Sequence, residues 1–237
     1  MAAIDALAFW LRRQGMFWMM ALPIAALAAA VAYVLETQRA LTEWQHHWAW
    51  DFLFAVIYAM FLDRWMKEAL VDDAVPCEEV DELRRSTIAV RFLTFATAFC
   101  LLALAIAPCP YIELNIVACA AAASVFILLL PSLAAHHPLS LHEAFMLGRP
   151  VQIHLFLLIA SSILVSMLVG LGLDEAATLL PAKVWVSPAM AAVQRLIDCL
   201  LLAFVGYGLS HTFRQLTDWQ PPESADHEIR GMRTRRA

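Results

Sequence analysis

Charge is scarce in this sequence. Asp, Glu, Lys and Arg make up 16% of its 237 residues, 62% are hydrophobic, and the mean hydropathy is +0.69. A soluble domain carries roughly 25% charged and 45–50% apolar residues, so an ordinary soluble domain is excluded. Cysteine is sparse and unpatterned. Cys77, Cys100, Cys109, Cys119 and Cys199 form no CxxC, so neither a redox motif nor a disulfide framework is implied. The only dense basic run is Arg230, Arg233, Arg235 and Arg236, and nucleic acid is not expected as a partner. His46-His47, His136-His137, His142, His154 and His211 show no metal-ligand spacing, and Ser161-Ser162 lack the glycine frame of a nucleophile elbow. The chain is therefore expected not to be an enzyme and to hold no metal and no cofactor.

What it has is apolar length. A lipid-spanning helix needs about 20 mostly apolar residues, and lipid leaves a backbone no partner except its own helix. Six blocks qualify, at residues 17–35, 48–62, 88–107, 112–130, 153–173 and 189–209. The expected fold is an all-α, polytopic membrane helix bundle. Residues 1–217 make a single transmembrane domain, and residues 218–237, opening with Pro221-Pro222, make a disordered basic cytoplasmic tail. Ala107-Pro108-Cys109-Pro110-Tyr111 turns the third block tightly into the fourth.

Orientation follows from where Lys and Arg fall. With the N-terminus inside, cytoplasmic segments hold Arg12, Arg13, Arg64, Lys67, Arg84, Arg85, Arg91, Arg149, Arg214 and the four tail arginines. The outer loops hold only Arg39 and Lys183. This bias predicts six crossings of a bacterial-type inner membrane, with both termini cytoplasmic.

Two shorter helices are expected to lie flat on the cytoplasmic surface. Residues 4–14 place Ile4, Leu7, Ala8 and Leu11 on one face and end in Arg12-Arg13. A second starts at Pro138 with a capping box, Ser140 and Glu143, and should stop at Gly148 before Pro150. Residues 8–13 and 144–149 share four identities in six positions and each precedes a pair of spans. That predicts a parallel internal repeat relating spans one and two to spans five and six. The loop at residues 63–87 is the largest soluble piece and carries seven acids after Asp63.

Ionisable residues inside spans are the first candidates for a site. Arg195 and Asp198 lie three apart on one face of the sixth span, with Arg195 roughly 10 Å below the outer surface. Asp51, Glu113 and Asn115, in the outer halves of other spans, complete the expected intramembrane polar cluster. Its functional meaning would be a small-solute or proton site open to the outside; its structural meaning, an internal salt bridge that fixes packing. Ser162, Ser166 and Gly170 in the fifth span, and Ala21, Ala25 and Ala29 in the first, recur every four residues as helix-packing faces.

Leu130-Pro131-Ser132-Leu133-Ala134-Ala135, followed by Pro138 through Phe145 to Gly148-Arg149, resembles a segment of six-span bacterial membrane proteins. Those are the Yip-type and glycerophosphodiester-phosphodiesterase-associated membrane domains. Asp63-Arg64-Trp65 and Tyr207 through Phe213-Arg214-Gln215-Leu216 are similar to that pattern as well, although a Trp-His-Arg is usual where Asp-Arg-Trp stands. The resemblance implies a six-span fold and no catalytic residue. The expectation is a non-enzymatic membrane scaffold or accessory subunit, with membrane lipids and a protein partner or second copy as partners. A small-molecule or proton-coupled transporter is the alternative.

Overall fold

In the computed structural model, residues 2–37, 44–72, 78–85, 88–106, 112–180 and 184–221 are described, and among them all regular structure is helical. The side chains of Asp51, Glu113 and Asn115 fall outside that description, as do His46-His47 and residues 222–237. In chain order the helices are α1 (Ala2–Arg12), α2 (Gln14–Thr37), α3 (Trp44–Leu70), α4 (Glu78–Arg84), α5 (Ile88–Ile106), α6 (Ile112–Phe126), α7 (Leu129–Ala134), α8 (Leu141–Gly148), α9 (Gln152–Leu179) and α10 (Val186–Thr217). Among the described residues, four helical stretches are long and apolar enough to cross a membrane: Gln14–Thr37, Ile116–Ala134, Leu141–Leu179 and Val186–Thr217. The chain is consistent with a multi-pass membrane protein.

The blocks 17–35, 48–62, 153–173 and 189–209 fall within single helices and 88–107 is helical as far as Ile106, but several boundaries differ. α3 runs eight residues past the expected end at Leu62. No proline or glycine stops it before Pro76, and the charges in its added turns are paired. The expected fourth span is broken between Phe126 and Leu129. Pro131 has no N–H to give the Ile127 carbonyl, and Leu130 N bonds it instead at 3.1 Å, which tightens the chain there. α7 then ends with His136 in the left-handed region (φ 54°) and His137 N on the Ser132 carbonyl at 2.9 Å, a Schellman-type closure.

The capping box opens α8: Ser140 N donates to Glu143 Oε2 at 2.8 Å, and Glu143 N donates to Ser140 Oγ at 3.2 Å. Gly148, by contrast, does not stop the chain. Its φ is −73°, and a 3-10 turn (Arg149–Val151) carries it directly into α9. Pro150 sits in the first residues of that turn, where its missing N–H has no partner to lose.

α10 is the axis of the bundle, packing along α2, α3 and α9 and meeting α1 and α7. One core, Phe9, Phe17, Phe61, Trp65, Cys199 and Ala203, seals α1 and α2 against α3 and α10. Phe9 lies edge-on to Trp65 at 5.3 Å and against Tyr207 at 5.1 Å. A second core, including Met66, Leu128, Leu155, Leu209 and Phe213, joins α3 to α6, α7, α9 and α10. The aligned segments of the expected repeat bury different positions: Phe9 is enclosed while Phe145 is exposed, and Ala144 is enclosed while Ala8 is exposed. α1 does present Ile4, Leu7, Ala8 and Leu11 outward, away from the bundle.

Candidate functional site

The sixth predicted span supplies three polar residues on one helical stripe of α10: Gln194, Arg195 and Asp198, spaced so that all three converge. Asp198 Oδ1 accepts from Ser166 Oγ at 2.6 Å and from Gln194 Nε2 at 3.1 Å. Its Oδ2 accepts from Tyr58 Oη at 2.9 Å and from Arg195 Nη1 at 3.3 Å. Tyr58 comes from α3 and Ser166 from α9, so one carboxylate ties three helices together. All four partners donate, which satisfies a group that has only acceptor oxygens. Arg195 also donates to Tyr58 Oη at 3.3 Å, and its guanidinium carbon stands 4.4 Å from the Phe54 ring centre.

Two open clefts meet at Ser166, Met167 and Asp198. The first, about 510 Å³, runs between α9 and α10 past Gly170, Asp174, Ser187, Gln194 and Arg195. The second, about 300 Å³, continues past Tyr58, Ser162, Ile163, Leu201, Leu202 and Val205 and is almost wholly apolar. Gln194 Oε1 is buried and has no hydrogen-bond partner among the described residues, because Nε2 takes all of that amide's contacts to Ser166 and Asp198.

Of the expected cluster, Arg195 and Asp198 are paired as the i, i+3 spacing predicted, and the side chains of Asp51, Glu113 and Asn115 lie outside the described ones. Tyr58, Ser166 and Gln194 were missed in this role. Ser166 reads from sequence as a packing residue, whereas the i, i+4 spacing of Gln194 to Asp198 could have signalled that contact. The small-residue face of α9 is put to mixed use: Ser162 Oγ bonds its own helix at the Leu158 carbonyl, and Gly170 borders the first cleft. In α2, Ala21, Ala25 and Ala28 are buried and Ala29 is partly so.

A second charged assembly lies at the opposite end of α3. Asp63 and Lys67 are fully buried and 3.8 Å apart, and Arg91 of α5 stands 3.7 Å from the other Asp63 oxygen. Lys67 also donates to the Arg85 carbonyl. Burial raises the Asp63 carboxyl above its usual 3.8 and lowers the Lys67 ammonium below its usual 10.5, each opposed by the other's charge. Glu68 gathers Arg64 at 3.1 Å and Arg84 at 3.3 Å, with Arg13 at 3.9 Å, while Arg12 bonds Asp72. The residues read from sequence as a solvated loop are thus partly a knot that pins α1, α4 and α5 onto α3.

Among the described residues no three His, Cys, Asp or Glu side chains are grouped to hold a metal ion. Comparison with protein-family models, with curated proteins and with solved structures returns no match to this chain. The resemblance to six-span bacterial membrane domains therefore rests on its quoted residues alone.

Proposed function

We propose that this chain is a six-span protein of a bacterial-type inner membrane, both termini cytoplasmic, that binds a ligand at Asp198 without transforming it. The observation carrying the reading is that the Asp198 network is a wall of two clefts. A salt bridge serving packing alone has no need of adjoining space, whereas cavities of about 300–1,000 Å³ with a few placed polar groups suit small molecules. The crossing number draws support from the grouping of Arg12, Arg13, Arg64, Lys67, Arg84 and Arg91 in one ionic assembly at one end of the bundle. Binding is favoured over catalysis because each Asp198 oxygen already accepts two hydrogen bonds that hold it in the wall of the clefts.

The competing reading is a scaffold or accessory subunit that packs on partner helices and lipid. It is favoured by the apolar outer face of α9, where Ile153, Leu157, Leu164, Leu168 and Leu171 are all uncovered. Native mass spectrometry of protein extracted in mild detergent separates the two. A small molecule retained by the wild type and lost from Asp198→Asn supports the binding site. A stoichiometric partner protein with no small molecule would establish the scaffold instead.

A further inference from the structure

The two clefts lie end to end along α10, from Ser187 to Val205, a length of about 27 Å at 1.5 Å per residue. Their linings differ in kind. The first cleft mixes the hydrogen-bonding groups of Asp174, Ser187, Gln194 and Asp198 with Leu173, Met190 and Ala191, and the stretch from Asp198 to Val205 offers mainly hydrocarbon. A solute small enough to be all head would leave the apolar cleft empty, and a plain hydrocarbon would leave the polar one unsatisfied. A molecule with both parts fits the order in which they come.

The polar cleft is also biased in sign. Arg195 is engaged with Asp198, which leaves the Asp174 carboxylate and the buried, unpartnered Gln194 Oε1 as the acceptors along its wall. Gly170 faces that amide: a side-chain carbon placed there would stand 3.7 Å from Gln194 Oε1. The glycine puts no side chain against this buried acceptor, which lacks a donor among the described residues, and an unmet buried acceptor is destabilising. A head that donates hydrogen bonds and carries positive charge answers both features.

We propose that the α9–α10 clefts hold an amine-headed amphiphile, its N–H groups on Gln194 Oε1 and Asp174 and its chain along Ser162, Ile163, Leu201 and Val205. This rests on the reading of Asp198 as a ligand site and names the class of ligand. The same chemistry is available from a membrane lipid, as the ethanolamine head of a phospholipid, or from a free long-chain amine.

The test uses the full chain in dodecyl maltoside, with thermal unfolding as the readout and dodecylamine as the probe. Dodecyltrimethylammonium has the same chain and charge but no N–H, and ethanolamine has the head without the chain. Dodecylamine should raise the unfolding midpoint saturably, with at least tenfold higher affinity than either control. Gly170→Met, which covers Gln194 Oε1, and Ser162→Trp, which fills the apolar cleft, should each weaken it tenfold or more. Leu164→Trp, on the uncovered side of α9, should not. Equal binding of the trimethylammonium analogue would overturn the proposal. A response to ethanolamine alone would also overturn it while leaving the Asp198 site standing. If no probe binds and nothing is retained in native mass spectrometry, both fall. Nanodiscs of phosphatidylethanolamine against phosphatidylcholine then assign the source: selective stabilisation by the first points to a membrane lipid, and none, with dodecylamine still binding, to a free amine.

Discussion

At the scale of single residues, Asp198 and Arg195 depend on each other more than either depends on water. Their side chains are 12% and 28% exposed, so removing one partner strands the other where solvent compensates only in part. Breaking a fully buried pair costs 3–5 kcal/mol, and partial exposure reduces that to about 2 kcal/mol here. Arg195→Leu should lower thermal stability in detergent by that amount, and Arg195→Leu with Asp198→Leu should recover part of the loss. An Arg195→Leu protein that melts with the wild type would refute the coupling. The pair itself was legible in the sequence, because two charges three apart in an apolar block must share a face. Its surroundings were not: Tyr58 and Ser166 arrive from helices more than thirty positions away or more than a hundred, and nothing local in their segments marks them as donors to Asp198.

At the scale of helices, the closest approach is at Gly206 rather than on the small-residue face of α9. A carbon added at Gly206 would stand 2.8 Å from Leu62 Cδ1 and 3.4 Å from both Met66 Cγ and Trp65 Cδ1, all of α3. Gly206→Ala should therefore destabilise by about 1–3 kcal/mol as Leu62 is displaced. Gly172→Ala, with nothing within 4 Å, should be neutral or slightly stabilising through helix propensity. Equal melting temperatures for the two variants would contradict the packing described. α8 offers a pH test. Glu143 is held below its ordinary value of 4.5, chiefly because Ser140 N donates to its carboxylate. The folded chain releases that proton more readily than the unfolded one, so the contribution is complete above pH 4.5 and is lost as pH falls through the native value. Protection of the α8 amides, taken relative to their intrinsic exchange rates, should fall over that acid window in the wild type and show no such dependence in Glu143→Gln. The helix starts and the capping box could be read ahead of the structure because caps are local chemistry. The added turns of α3 could be read only in part: the i, i+4 pairs Arg64–Glu68 and Asp63–Lys67 are local, whereas Arg84 and Arg91 reach Glu68 and Asp63 from α4 and α5.

At the scale of the whole molecule, the proposed six crossings predict where introduced cysteines react in intact cells. In a background lacking the native cysteines, Val184→Cys should be labelled from outside by a membrane-impermeant maleimide. Arg149→Cys and Gln220→Cys should be labelled only after permeabilisation. Labelling of all three from one side would overturn the topology. Deleting residues 1–14 should leave insertion intact but reduce thermal stability, since Phe9 covers Trp65 and Arg12 and Arg13 neutralise Asp72 and Glu68. The outward apolar face of α1 could be read from the spacing of Ile4, Leu7 and Leu11. How firmly the other face is held could not, because Phe9 finds its partners on α3 and α10 rather than nearby.

The central place of α10 has a consequence for how the protein is made. The principal neighbour of α2 is α10, so α2 leaves the ribosome well before the helix it packs against. At about 5–20 residues per second, the stretch between Thr37 and Val186 takes on the order of ten seconds to synthesise. During that interval Ala21, Ala25 and Ala28 face lipid or the insertion machinery with no permanent partner. A chain released early, before Val186, would keep its hydrophobic segments yet lack the helix that closes both cores. Quality control at the membrane would meet such a product as an inserted but unfinished protein.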